Sequence, residues 1–182
     1  FELASVATLA LGSIAKNMSQ KEPLIHEEII THLNQKIEES TTTEAKRSLI
    51  LSLANAKPES LDKPESYLQS DENRVREAGV VLLSNIGDKA SVDALLSFQK
   101  SEPDSIVRSE VFHRLARTNL SSEQIGDISR DSLVEKDTKV RYTMIELLGM
   151  NTDKNAVIRS TLKLLKSQET NKENFKKILQ YL

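Results

Sequence analysis

The amino-acid sequence predicts an all-α protein, a right-handed α-α superhelix (solenoid) of about five helix pairs. Three observations carry this. Of 182 residues only five are Gly and four Pro, with aromatics at 4%, too little turn punctuation for an all-β sandwich. Apolar residues recur at the i, i+3, i+4, i+7 spacing of a helix with one buried face. The periodic segments also align with one another, the mark of a repeat architecture.

The alignment rests on five leucines, Leu11, Leu53, Leu83, Leu115 and Leu148, at intervals of roughly 30–40 residues. The residue after each is small: Gly12, Ala54, Ser84, Ala116 and Gly149. Eight positions before each stands an apolar or small residue, Leu3, Ala45, Val75, Val107 or Val140, followed by Ala4, Lys46, Arg76, Arg108 or Arg141. One helix pair cannot bury its apolar face alone, so stacked pairs must bury it against each other. Small residues beside the anchors let neighbouring helices approach closely.

In the first pair the second helix is expected over Leu24 to Ile37, with Ile25, Ile29, Ile30, Leu33 and Ile37 turned inward. In the second pair Pro58 and Pro64 confine the second helix to about Glu65–Gln69. The third opens at an Asp71 cap, runs through Val75, Ala78, Gly79, Leu82, Leu83 and Ile86, and stops at Gly87. Its second helix turns Val92, Leu95 and Leu96 inward. Asp104 and Asp137 are expected to cap the next two first helices. Ser122 is the expected cap of the fourth pair's second helix, without a capping box because Ile125 stands three residues on. A final amphipathic segment, Glu173 to Leu182, reads as the opening helix of a sixth pair.

The stretch from Asp71 to Asp88 resembles a HEAT repeat of the phycobilin-lyase type. Asp71, the Val75-Arg76 pair, Ala78 and Ile86-Gly87-Asp88 occupy the positions of that unit's acidic cap, Val-Arg pair, alanine-rich helix and terminal Ile-Gly-Asp. Val107-Arg108 and Val140-Arg141 are divergent copies. The resemblance implies a fold and no particular function. The order of motifs along the chain is also similar to the N-terminal helical domain of vitellogenin-type large lipid transfer proteins. Leu9-Ala-Leu-Gly-Ser13, Leu53-Ala-Asn-Ala-Lys-Pro-Glu-Ser60, the Val-Arg pairs and Glu169-Thr-Asn171 carry that likeness. It implies lipid carriage through a cavity built by other domains. Residues 1–182 are thus expected to be one HEAT-like domain, a piece of a longer protein, since Phe1 already falls inside an apolar pattern.

The sequence offers little for catalysis. With no Cys, thiolate chemistry and Cys-ligated zinc are excluded. His26 and His32 stand six apart, not the four that turns two imidazoles toward one ion, and read as residues of a solvated helix. His113 reads as a helix-flank residue. The acids Glu27, Glu28, Glu38, Glu39, Asp71, Glu72 and Asp104 read as caps and exposed faces. No nucleophile elbow or phosphate loop is present. No enzyme, cofactor or metal is expected, and no apolar run reaches the ~20 residues of a bilayer span.

Two features bear on binding. Arg76, Arg108 and Arg141 recur at one place in successive units, either bonding neighbouring units together or forming an anion-binding stripe. Cohesion is the stronger expectation. Charge is also uneven: residues 1–40 carry net −3 and residues 151–182, with Lys154, Arg159, Lys163, Lys166, Lys172, Lys176 and Lys177, carry net +4. The expected function is a non-catalytic scaffold gripping a protein or peptide partner, with the lipid-carrier module as the alternative. A net charge of −2 and few stacking aromatics argue against nucleic acid.

Overall fold

A computed structural model describes residues 2–153 and 156–182, with side chains from Val6 onward. Phe1, the side chains of Leu3 and Ala4, and Lys154 lie outside the described residues. Among the described residues the only regular elements are helices, and the chain forms two compact units, Phe1–Phe98 and Gln99–Leu182. It is an all-α protein built of stacked helix pairs.

The first unit holds three pairs: α1 (Glu2–Met18) with α2 (Pro23–Glu39), α3 (Thr43–Ala56) with a short 3-10 helix (Pro64–Leu68), and α4 (Asn73–Ile86) with α5 (Lys89–Phe98). The first helices stack, α1 on α3 and α3 on α4. Beside them α2 packs on α1 and α3, and the 3-10 helix on α4 and α5. The second unit holds α6 (Ser105–Leu115) with α7 (Ser122–Ser132), α8 (Thr138–Met150) with α9 (Val157–Gln168), and α10 (Lys172–Tyr181). There α6 packs on α8 and α8 on α10, while α7 touches α8 and α9. The anchors Leu53, Leu83, Leu115 and Leu148 are all fully buried, and Leu11 is half-buried.

Local signals decide the helix ends. Asp104 accepts from the N–H groups of Ile106 and Val107, and Asp137 from those of Lys139 and Val140, as expected. Gly87 ends α4 in the left-handed region at φ 67°, where a side chain would be strained. Two caps differ from expectation by one residue. Glu72, not Asp71, precedes α4, and it makes no side-chain cap. Asp71 stands four residues before Val75, one too far for its carboxylate to reach the first free N–H groups. Ser121, not Ser122, caps α7, and this shift brings Gln124 into the third position to complete a capping box.

Burial corrects three inward assignments. On α2 the buried face is His26, Ile30, Leu33 and Ile37. Ile25 is 44% exposed, and Ile29 is half-buried. On α5 Leu96 is half-buried, beside the buried Val92 and Leu95. His26 is therefore part of the core and not solvated. Its Nε2 lies 3.1 Å from the Ala56 carbonyl oxygen at the end of α3. A carbonyl can only accept, so Nε2 carries the hydrogen and satisfies a helix-end acceptor.

Small residues mark close approaches. A Cβ built on Gly12 would fall on the Ser52 carbonyl of α3, one on Gly149 on the Tyr181 ring, and one on Gly79 on the Tyr67 carbonyl of the 3-10 helix. Gly79→Leu is expected to destabilise by at least about 1–3 kcal/mol through overpacking. Gly79→Ala should move the same way, since the Cβ alone collides with backbone. A thermal melt of Gly79→Ala matching wild type would rule out this contact.

Candidate functional site

The three arginines share one geometry. Each sits at the start of a first helix and reaches back to the carbonyl six residues earlier. Arg76 Nη1 donates to the Ser70 carbonyl at 2.8 Å, Arg108 Nη1 to that of Glu102 at 2.9 Å, and Arg141 Nη1 to that of Glu135 at 2.6 Å. Within the second unit a carboxylate of the following pair completes the arrangement. Arg108 Nη2 stands 3.7 Å from Glu135 Oε1. Arg141 holds Glu169 in a two-pronged bond, Nε to Oε2 at 2.7 Å and Nη2 to Oε1 at 3.1 Å.

The acids are held in turn. Glu102, Glu135 and Glu169 each accept from the N–H two residues on, that of Asp104, Asp137 and Asn171. Those three residues cap α6, α8 and α10. At α6 and α8 a Glu, a spacer, a capping Asp and an Arg four positions later thus form one device that closes the helix start and ties it to its neighbour, whereas at α10 Phe175 stands in the Arg position. Burial alone would raise the Glu169 carboxyl. Bonds from Arg141, the Asn171 N–H and the Asn174 amide outweigh it, and the group is held down at about 2. In this geometry Arg108 and Arg141 each face a carboxylate at the start of the next helix pair. The recurring Glu-x-Asp/Asn signal was open to sequence reading, but nothing local names Arg as its partner.

A second node lies on α6, α8 and α10. Lys177 Nζ donates to Glu146 Oε1 at 2.8 Å, and its charge stands 5.3 Å from the Tyr142 ring centre and 5.7 Å from that of Tyr181. The hydrogen bond to Glu146 holds the lysine well above its ordinary pKa. His113 Nδ1 lies 3.7 Å from Glu146 Oε2. Lys177, counted above with the basic end of the chain, is thereby neutralised within the fold.

The first unit contains an open cleft of 680 Å³. It exists because the second helix of the second pair is only the five-residue Pro64–Leu68 turn, standing where the first pair has the 17-residue α2. The buried Ile30, Ile37, Ile50 and Val75 lie at its base. Tyr67 donates its hydroxyl to Asn34 Oδ1 at 2.6 Å across part of the wall. Burial, then the charges of Glu38 and Asp62, push the Tyr67 phenol above its ordinary pKa. Lys46, Lys63, Glu38 and Asp62 also line the cleft, and their side chains have no ion-pair partner among the described residues.

Among the described residues no group of His, Asp and Glu is arranged to hold a metal, and no helix is long and apolar enough to cross a membrane. His32 is exposed on α2, away from the buried His26.

Residues 30–116 match the family model for HEAT repeats. No curated protein matches the chain. Among solved structures, a designed armadillo repeat protein superposes with a TM-score of 0.55 at 15% identity, covering 98% of this chain and 91% of its own. An engineered protein superposes with a TM-score of 0.51 at 16% identity, covering 95% of each chain. At such identity the likeness concerns fold alone. The lipid-carrier alternative gains no support from these matches.

Proposed function

We propose that this HEAT-like helical repeat protein is a non-catalytic scaffold whose cleft beside the Pro64–Leu68 turn grips an extended segment of a partner protein. The observation that carries the reading is the cleft itself. Its volume, 680 Å³, falls within the ~300–1,000 Å³ of ligand-sized sites. Its base is apolar, and its rim offers two cations, Lys46 and Lys63, three carboxylates, Glu27, Glu38 and Asp62, and the Asn34–Tyr67 pair. An apolar base takes side chains, whereas a rim of both signs suits a polar backbone and fixes direction. Treating residues 1–182 as one repeat domain belongs to the same proposal.

Selection of random phage-displayed peptides on the wild-type protein tests it. Ser60 and Ser66 are exposed on the cleft wall, so Ser60→Trp should block the cleft without touching the core. Selected peptides are expected to lose about tenfold or more in affinity on Ser60→Trp, with the circular dichroism spectrum unchanged. Peptides that bind both proteins equally would overturn the assignment of the cleft.

A further inference from the structure

We propose that α9, with the groove it shares with α7, forms a second docking surface, separate from the cleft, for an acidic amphipathic protein segment. The argument starts from the two flanks of α9. Its buried face is Ile158, Thr161, Leu162 and Leu165. At about 100° per residue, Arg159, Lys163 and Lys166 share one flank, while Val157, Thr161 and Leu164 share the other.

The basic flank is uncompensated. Arg159, Lys163 and Lys166 are exposed, without hydrogen bond or ion pair among the described residues, and α9 contains no acidic residue. This sets α9 apart from α2, α5, α6, α7 and α10, where Lys36, Lys89, Arg114, Arg130 and Lys176 each pair with an acid three or four residues away on their own helix. Three like charges at i, i+4 and i+7 repel one another, and an acidic partner relieves that repulsion.

The other flank is apolar and leads into a groove. Val157 is 53% and Leu164 44% exposed. Val157 and Thr161 line a 380 Å³ groove whose opposite wall is α7, with Ser129 and Leu133. Ser129 in that wall is 1% exposed, and its hydroxyl has no hydrogen-bond partner among the described residues. Across the groove stand Glu123 and the Asp127–Arg130 pair. Glu123 repels a ligand's carboxylates from the α7 side and directs them over α9. The fitting ligand has one acidic edge and one apolar edge. An anionic bilayer meets the repulsion of Glu123 and cannot enter the groove. Nucleic acid finds no aromatic side chain on α9 to stack on.

The test uses fluorescence anisotropy with a labelled helical peptide bearing a Glu row and a Leu-Phe row. Tight binding is expected at low salt, falling as salt rises. The triple variant R159E/K163E/K166E should weaken it roughly thirtyfold, as three reversed exposed charges imply. Leu164→Asp should weaken it independently, and Ser60→Trp should leave it unchanged, so this surface and the cleft stand or fall separately. Equal binding to wild type and the triple variant, or no measurable binding to wild type, would overturn the proposal. So would tighter binding of phosphatidylserine vesicles or of a single-stranded oligonucleotide that is lost in the same variants.

Discussion

Arg141→Gln is expected to lower stability by about 3–5 kcal/mol, the cost of stranding one partner of a buried ion pair. The Glu169 side chain is only 1% exposed and takes both prongs of the guanidinium. Gln cannot reproduce that fork, and its amide leaves the carboxylate charge unopposed. Arg108→Gln should cost less, about 1 kcal/mol, because the Glu135 carboxylate is 3.7 Å away and 20% exposed. Acid should reveal the same difference. The Glu169 pKa is depressed, from 4.5 to about 2, so its contribution is present above the unfolded value and lost as pH falls through the folded one. That contribution is up to about 3 kcal/mol. The gap between wild type and Arg141→Gln should therefore be full at neutral pH and shrink between pH 4.5 and about 2. Urea unfolding at both ends of that window measures it. A variant as stable as wild type at neutral pH would remove Arg141 from the cohesive network and return it to the list of candidate ligand-binding residues.

Leu83→Ala is expected to cost about 2–5 kcal/mol, transfer and cavity terms together. Leu83 is fully buried on α4, which packs against α3, the 3-10 helix and α5, so several elements would have to move to close the cavity. Leu164→Ala supplies the contrast. Its side chain is 44% exposed, and a change within about 0.5 kcal/mol is expected. Comparison of their urea midpoints checks the repeat register directly. A loss below about 1 kcal/mol for Leu83→Ala would mean that the anchor leucines do not mark the buried position of each unit.

The repeat and three helix ends were legible in the sequence alone. The leucine anchors, the stop at Gly87 and the Asp104 and Asp137 caps were legible because each is encoded within one or two helical turns. The misplaced caps at Asp71 and Ser122 show how fine that code is, since one residue decides whether a side-chain oxygen reaches a free N–H. Tertiary structure alone decided which face of α2 is buried, turning His26 inward and Ile25 outward. Helical spacing leaves both rotations open, and the Ala56 carbonyl on α3 supplies the partner His26 needs. It also decided the partner of Arg141: Arg141 and Glu169 lie 28 residues apart, and no local pattern pairs them. The cleft in the first unit has the same origin. Pro58 and Pro64 announced a short second helix, but the space it leaves becomes a cleft only because α2, α3 and α4 stand around it.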